Sequence, residues 1–255
     1  MQLDKKYLAL SIFLMQLLGH AFAQANVRDV GPTNLLLLYK CEPAKRVALR
    51  EYMLSKGVVQ FKQWKAEGVL AGEQVLFSRY VDSENWDMLV FLQFRSPDDV
   101  AKWNEIERSH PAGLDAQGLS MVTAVSTYQL DMVQEKALSM AATKPVFFVI
   151  PYDYTVPTED YLRYLQDYVV PQTSGWMDAG VLQSYQLFIG RGVAGRPWSA
   201  VFLLEYKDDE ALGRRDVTIA KVREALRRDP TWKALSDKKQ SVRVEKAPIV
   251  AEELK

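Results

Sequence analysis

The chain of 255 residues has few of the groups that disulfide, metal and nucleic-acid chemistry need. Its single cysteine, Cys41, excludes an intramolecular disulfide, and no C-x-x-C or histidine-rich pattern predicts a metal site. The 32 Lys and Arg residues balance 32 Asp and Glu residues, so no cationic excess is available to neutralise nucleic-acid phosphates. Since 48% of the residues are apolar, the composition is that of a globular protein. We expect Cys41, which closes an apolar run, to be buried.

The one long apolar run lies at the N-terminus, where residues 1–23 have the pattern of a secretory signal peptide. Two lysines precede an apolar stretch over 7–18, and a small-x-small cleavage site follows at 21–23. This stretch is shorter than the roughly 20 residues that span a bilayer, although a membrane anchor is the alternative. We therefore expect a periplasmic or secreted protein with a short leader over 24–32 and no membrane span in the mature chain.

The remainder of the chain is an internal repeat. When the sequence is shifted by 112 positions, residues 35–95 align with 147–207 without a gap and with 12 identities in 61 positions. The strongest shared element is W-x-x-x-G-V-L, which begins at Trp64 in the first copy and at Trp176 in the second. Chance gives roughly one identity in seventeen positions, so the pattern indicates two copies of one module of about 110 residues.

Each copy has the same order of predicted elements. Apolar runs rich in strand formers alternate with two amphipathic stretches, which predicts β-α-β-β-α-β twice, the ferredoxin-like arrangement. Gly68 and Gly180 follow the first helix of each copy, where a C-cap needs positive φ, and Pro171 predicts a kink or break. The result is an α+β fold in which the sheets of the two units face each other as an intrachain α/β barrel.

The same pattern divides the chain into segments. These are a first unit over 33–130, a polar linker over 131–144, a second unit over 145–246 and a loose tail over 247–255. In the second unit the second helix is expected over about 208–228, and the next expected element is a strand over 241–244.

Three features of this sequence resemble the dimeric α/β-barrel superfamily in a fused tandem form. They are the doubled order of elements, the matched segments at 64–70 and 176–182, and a Ser-His-Pro segment centred on His110 at the end of the second predicted helix. The resemblance covers most of residues 33–246. That superfamily includes cofactor-free quinone-forming monooxygenases, haem-degrading enzymes, chlorite dismutase-like haem proteins and stress-responsive proteins. The resemblance therefore implies a fold and leaves the activity open.

His110 is the one histidine left once residues 1–23 are removed, and it is the catalytic candidate. The resemblance implies that a histidine at this place can line a cavity between helices and sheet, as a haem ligand or a polar site residue. A neutral imidazole also works as a general base near neutral pH. The alternative is a surface position at a helix end. The second copy has Asp229-Pro230 here, which suits one functional and one degenerate half.

Five further residues are candidates for ligand binding. Arg79 and Arg191 match across the repeat near a strand end, where a guanidinium binds a carboxylate or phenolate. The alternative for both is an exposed charge or a salt bridge between the halves. Gln60 and Gln172 lie one turn before the matched tryptophans and form either a polar site wall or the edge of a core stripe. Tyr152 lies at a strand exit, a common place for ligand pockets.

These observations lead to one function hypothesis and two alternatives. We expect an exported α/β-barrel protein that binds a small, largely apolar ligand in a cavity, without a cofactor, a metal or nucleic acid, as a monomer or a homodimer. The first alternative is an enzyme of the same fold, either a cofactor-free monooxygenase or a haem-dependent enzyme that uses His110. The second is a structural or interaction module whose aromatic residues fill the barrel.

Overall fold

The computed structural model describes residues 34–139 and 142–255, so the expected signal peptide (1–23) and leader (24–32) lie outside the described residues. The strands are β1 (Asn34–Cys41), β2 (Gly72–Ser78), β3 (Met88–Gln93), β4 (Val122–Ala137), β5 (Val146–Tyr154), β6 (Leu182–Arg191), β7 (Ala200–Tyr206), β8 (Arg243–Glu245) and β9 (Ile249–Glu253). The helices are α1 (46–66), α2 (Pro97–Glu107), α3 (Ala116–Leu119), α4 (158–178), α5 (Asp209–Gly213), α6 (Arg215–Leu226) and α7 (Pro230–Val242). Within the described ranges, no helix has the length and apolar character needed to span a membrane.

The strands close into a barrel. In the first copy the antiparallel order is β4-β1-β3-β2, and in the second it is β6-β7-β5-β8. β4 pairs with β6 at one seam between the copies, and β9 lies between β2 and β5 at the other. Eight strands thus form a closed antiparallel ring, while β8 pairs with the far end of β5. The expected fold, two ferredoxin-like units whose sheets form an intrachain α/β barrel, is confirmed.

Two segments that the sequence pattern places outside the units are strands of the barrel. Residues 131–137, expected as a polar linker, are the second half of β4 and pair with β6. Residues 249–253, expected as a loose tail, are β9 and pair with both β2 and β5. These expectations were wrong because both segments carry several charged residues, whereas the backbone pairing that closes a barrel depends on the neighbouring strand edges.

The end of the second copy also differs from the expectation of one helix followed by a strand. The structure has three helices there, α5, α6 and α7. The Asp229 carboxylate caps α7 by accepting hydrogen bonds from the backbone N–H groups of Thr231 at 2.8 Å and Trp232 at 3.4 Å. Pro230 takes an early helical position, where its missing N–H is harmless. Asp229-Pro230 is therefore a helix start in the second copy.

Helices α1 and α4 contain a π-helical turn at the same place in the repeat. The turns are Met53–Gly57 and Leu165–Val169, which are 112 positions apart. Pro171 follows the second of these turns, and α4 continues past it to Asp178 instead of breaking. Because the first copy has the same turn without a proline, the irregularity belongs to the repeat. Turns of this kind occur often at functional sites.

Each of these two helices is followed by a glycine in the left-handed region of backbone space. The φ angle is 78° at Gly68 and 71° at Gly180, as the C-cap prediction requires. A side chain at either position would strain the backbone, which explains why both copies have glycine there.

Three hydrophobic clusters hold the layers together. One fills the barrel interior with side chains of both sheets, and it includes the stacked pairs Phe91–Phe188, with centroids 5.5 Å apart, and Tyr128–Trp198, at 3.9 Å. The other two clusters lie between each sheet and its helices. Side chains from both sheets meet in the space between them, and the outer layers of the two copies differ.

Candidate functional site

A cavity of about 590 Å³ lies in the second copy, between α6, the end of α7 and the helix-facing side of β5 and β8. We call it the second-copy cavity. Its lining includes the cations Arg215, Arg223, Lys239 and Arg243, the acids Asp216 and Glu245, and the aromatics Tyr152 and Tyr168. These side chains carry a net of two positive charges.

Regular periodicity places these side chains. Successive residues of a strand point to opposite faces, so on β5 Tyr152 packs with the helices while Val149 packs inside the barrel. On α6, Arg215, Ile219 and Arg223 recur at four-residue spacing and line the cavity together. One strand face and one helix face thus meet across the cavity.

Arg243 lies in a cage of aromatic rings. Its Cζ atom is 4.0 Å from the ring centroid of Tyr152, 4.9 Å from that of Phe202 and 5.4 Å from that of Tyr164. Cation–π contacts stabilise a guanidinium without neutralising it. Its buried Nη1 atom has no hydrogen-bond partner among the described residues. Arg243 therefore contributes a charge and an unused donor to the cavity lining.

The tyrosines around Arg243 are neutral at physiological pH. Burial raises the pKa of Tyr161 to about 12, against the opposing effect of the Arg243 charge. Burial likewise raises the pKa of Tyr152 and of Tyr164. These phenols keep their protons, so they do not supply the negative charge that a guanidinium attracts. The Tyr152 hydroxyl instead donates to Glu245 Oε2 at 3.1 Å.

A carbonyl oxygen in the π turn of α4 accepts two side-chain hydrogen bonds beside the cavity. The carbonyl oxygen of Tyr168 accepts hydrogen bonds from Gln172 Nε2 at 2.9 Å and from Trp232 Nε1 at 3.1 Å. Gln172 Oε1 in turn accepts a hydrogen bond from Arg223 Nε at 2.8 Å. These bonds connect α4 to α7 and to α6, and they hold the Arg223 guanidinium at the cavity wall.

The matching place in the first copy is filled by a tryptophan. The side chains of Ser96 and Asp208 cap the equivalent helices of the two copies. Seven positions later the first copy has Trp103 and the second has Arg215. Trp103 is fully buried, and its ring centroid lies 5.4 Å from that of Trp64. The copies have therefore diverged, with a packed core at this place in the first and a charged cavity wall in the second.

The two matched arginines lie at the seams between the copies. Arg79 forms a salt bridge with Asp209 of the second copy. Arg191 forms one with Asp131 at 2.7 Å across the β4–β6 seam, and this hydrogen-bonded partner raises the pKa of Arg191. Neither arginine is among the residues that line the second-copy cavity. A ligand-binding role for them stays a prediction.

His110 and Gln60 lie in the first copy, away from the second-copy cavity. His110 is half-buried beyond the end of α2, where its Nδ1 is 3.0 Å from Ser109 Oγ and its ring centroid is 5.8 Å from that of Trp64 in an edge contact. Gln60 is half-buried on α1. The proposed site roles of both residues stay predictions.

Two of the six candidate residues belong to the cavity, Tyr152 as a lining residue and Gln172 as the partner of Arg223. Sequence reasoning missed the arginines themselves. For Arg215 a signal exists, because the shift of 112 positions pairs it with a buried tryptophan. Arg215 lies only eight residues beyond the gapless part of the repeat, which ends at residue 207, whereas Arg243 lies 36 residues beyond it, where no such comparison is available.

The residues of the second-copy cavity do not fit a haem held by histidine. The sequence has two histidines, His20 and His110, so the second copy contains none. A haem iron in this cavity would find tyrosine or lysine side chains near it instead of an imidazole. Among the described residues, no group of three or more His, Cys, Asp or Glu side chains is arranged to hold a metal ion.

A closed barrel of two fused ferredoxin-like units, with a cavity between helices and sheet, defines the class of protein: the chain has the dimeric α/β-barrel fold. Solved structures share this fold. A candidate monooxygenase from Lactobacillus acidophilus matches with a TM-score of 0.56 and 14% identity, over 88% of this chain and 95% of its own. An anthrone oxidase-like protein matches with a TM-score of 0.54 and 16% identity, over 87% and 90%.

A variant of the chlorite dismutase from Candidatus Nitrospira defluvii matches with a TM-score of 0.51 and 9% identity, over 88% of this chain and 92% of its own. No protein-family model and no curated protein matches the sequence. At these identities the solved structures establish a common fold, and the function has to be argued from the site.

Proposed function

We propose that the second-copy cavity binds a small aromatic acid. The observation that carries this proposal is a pair of arginines without acidic partners beside aromatic walls. Among the described residues, Arg223 bonds to the amide oxygen of Gln172, and Arg243 Nη1 has no partner. A partly buried cation is costly unless an anion accompanies it, so an anionic ligand group fits here. The sequence predicts a small, largely apolar ligand, and the two arginines add an acidic group to that prediction.

The size and the walls of the cavity support a ligand of one to three rings. About 590 Å³ lies within the range of roughly 300–1,000 Å³ that small-molecule sites occupy. Tyr152 and Tyr168 supply flat aromatic surface, and Ile219 supplies an apolar one. Aromatic rings prefer offset or edge contacts with such walls.

Titration of the protein with naphthoate and with the neutral naphthamide, followed by calorimetry, tests the proposal. We expect the acid to bind at least about tenfold more tightly than the amide, since the charge-assisted hydrogen bonds need an anion. Arg243→Gln should lose that preference. Arg163→Gln is the matched control, because Arg163 is an exposed cation of α4 paired with Asp160. Equal affinity for acid and amide, or no binding of either, would overturn the proposal.

A second candidate function is the cofactor-free oxidation of a hydroxyaromatic compound by dioxygen, in which a CH₂ group becomes a carbonyl and water is released. The observation that favours it is Glu245, a carboxylate in the cavity that accepts the Tyr152 hydroxyl at 3.1 Å. A carboxylate there would remove a substrate proton, and the arginines would stabilise the resulting anion. Two structures of the same fold are described as a candidate monooxygenase and as an anthrone oxidase-like protein.

Oxygen consumption with anthrone as substrate tests this second candidate. We expect uptake of dioxygen above the uncatalysed rate, and we expect Glu245→Gln to abolish it while naphthoate still binds. Uptake that equals the rate without protein would rule the candidate out. Binding of naphthoate without any oxidation would leave the protein as a binding protein.

We also propose that the protein is exported, because residues 1–23 have the order of a signal peptide. Sequencing the N-terminus of the protein made in a bacterial host tests this. The expected mature chain begins at Gln24, and recovery of the chain with Met1 from the cytoplasm alone would contradict export.

A further inference from the structure

Helix α6 places two arginines on the face that lines the second-copy cavity. Arg215 and Arg223 are eight residues apart, and Ile219 lies midway between them on the same face. With a rise of 1.5 Å per residue, their Cα atoms are about 12 Å apart along the helix axis. The cavity wall formed by α6 therefore has an apolar residue in the middle and an arginine at each end, with Asp216 beside Arg215.

Two aromatic rings of β5 contact arginines at the same two ends of the cavity. Arg215 Cζ lies 4.6 Å from the ring centroid of Phe148, and Arg243 Cζ lies 4.0 Å from that of Tyr152. Phe148 and Tyr152 are four residues apart on the helix-facing side of β5, which corresponds to about 13 Å along the strand. Arg215 and Arg243 thus lie at opposite ends of the cavity.

Arg223 and Arg243 share one end. Arg243 Cζ lies 5.4 Å from the ring centroid of Tyr164, which lies 4.9 Å from that of Tyr168, and the Tyr168 carbonyl accepts the hydrogen bond of Gln172. The charges of both arginines oppose the rise that burial causes in the pKa of Tyr164. Arg223 is held there by Gln172. One end of the cavity therefore has two cations, and the other end has Arg215.

Each end also has a buried donor without an acceptor. Arg215 Nε and Arg243 Nη1 have no hydrogen-bond partner among the described residues. Arg215 does pair through Nη1 with the exposed Asp216 at 2.7 Å, and Glu245 at the other end accepts from Tyr152. The lining nevertheless keeps a net of two positive charges. A buried N–H left unpaired costs free energy that a ligand oxygen would recover.

We infer that the ligand is an elongated dianion with an acidic group at each end, one bound by Arg223 and Arg243 and the other by Arg215. This inference rests on the proposed function, since it assumes that the second-copy cavity binds an aromatic acid. It names the substrate class more closely: a rod of two or three rings with terminal carboxylates or ionised phenols. The net charge of the lining and the spacing of the cations both point to this class.

Calorimetric titration with two probes of one shape tests the inference. The probes are biphenyl with a carboxylate at each para position and biphenyl with a single para carboxylate. We expect the dianion to bind at least about tenfold more tightly than the monoanion, because only the dianion reaches both ends. Arg215→Gln should abolish this advantage and leave the affinity for the monoanion within about twofold.

Arg214→Gln is the matched control, because it removes the same charge one position earlier, where the side chain is 57% exposed and pairs with Glu210. We expect it to leave both affinities unchanged. If Arg215→Gln fails to fold, Arg215→Lys, which keeps the charge and lacks the Nε donor, replaces it and should still reduce the advantage. Equal affinity of the wild type for both probes overturns the inference and leaves the proposed function standing. If neither probe binds and naphthoate does not bind either, the proposed function fails as well.

Discussion

Arg46 is a buried arginine of the first copy and has an acidic partner, whereas Arg223 and Arg243 of the second-copy cavity have none among the described residues. It pairs with Asp87, and the two side chains are 10% and 8% exposed. It also donates to the carbonyl oxygen of Ser78 at 2.6 Å and lies over the Phe77 ring. A guanidinium that is satisfied in this way holds β2 and β3 to the start of α1, whereas Arg243 Nη1 in the second copy has no hydrogen-bond partner among the described residues.

Asp87→Ala tests the importance of this pair. Removing one partner of a buried ion pair leaves an uncompensated charge, so we expect the free energy of unfolding to fall by about 3–5 kcal/mol. Urea denaturation followed by circular dichroism measures the change. Asp178→Ala removes an exposed carboxylate at the end of α4 and should change stability by less than about 0.5 kcal/mol. A similar small change for both variants would contradict the prediction.

Cys41 is half-buried, whereas its apolar neighbours predict a buried side chain. The pKa of its thiol is nevertheless strongly raised. Burial raises the pKa of Cys41 to about 12, and the nearby Asp87 carboxylate adds to the rise. The thiol stays protonated below that pKa, and only the thiolate reacts. At pH 8 we expect alkylation by iodoacetamide at least about a hundredfold slower than for free cysteine, with a rate that increases up to about pH 12. Mass spectrometry measures the rate of alkylation. In urea this rate should equal that of free cysteine. The same equality in the folded protein would contradict the raised pKa.

At the scale of elements, the π turn of α4 connects the fold to the site. The sequence predicts the helix and its C-cap glycine but not this turn, because the extra residue in the turn is accommodated by packing against other helices. The Tyr168 carbonyl accepts side-chain donors from two places, Gln172 on α4 and Trp232 on α7. The unexpected helix α7 is thus the element that completes one wall of the cavity.

Trp232→Phe separates the hydrogen bond from the ring contact. The phenyl ring keeps the stacking with Tyr168, at 5.0 Å between centroids, but loses the indole N–H donor. We expect a loss of about 0.5–1.5 kcal/mol in unfolding free energy and weaker binding of naphthoate, measured by denaturation and calorimetry. Trp103→Phe is the comparison in the first copy, since its indole nitrogen has no partner among the described residues. If both variants affected naphthoate binding equally, the π turn would have no special role.

At the scale of the whole molecule, β9 closes the barrel. It pairs with β2 of the first copy and with β5 of the second, and Ile249 and Ala251 are buried in the barrel interior. Without it, both neighbouring strands would present unpaired backbone edges. The first seam is formed by β4 and β6, which are long strands of the two units. The second seam depends on the five residues of β9, near the C-terminus.

A chain that ends at Lys246 tests the role of β9. We expect the truncated protein to lose cooperative unfolding and to associate through the exposed edges of β2 and β5, which light scattering after size-exclusion chromatography detects. Deleting Lys255 alone, which lies beyond β9, should leave size and stability unchanged. A truncated chain of unchanged mass and unfolding temperature would show that the first seam suffices.

The sequence by itself determined the repeat and its architecture. The matched tryptophans, the two C-cap glycines and the alternation of strand and helix patterns are local signals, and local signals report on secondary structure and on which faces are buried. The same signals indicated Tyr152, which lines the cavity, and Gln172, which accepts a hydrogen bond from Arg223, and a binding role for either stays a prediction.

Only the tertiary structure decided where the second-copy cavity lies and which segments close the barrel. Arg215, Arg223 and Arg243 come from α6 and β8, and their nearness to one another and to the rings of β5 arises from packing between elements distant in sequence. From the sequence alone, a charged residue on a helix is predicted to be exposed to solvent. It becomes a ligand-binding candidate once neighbouring elements of the fold bury it beside a cavity, and that depends on three-dimensional contacts.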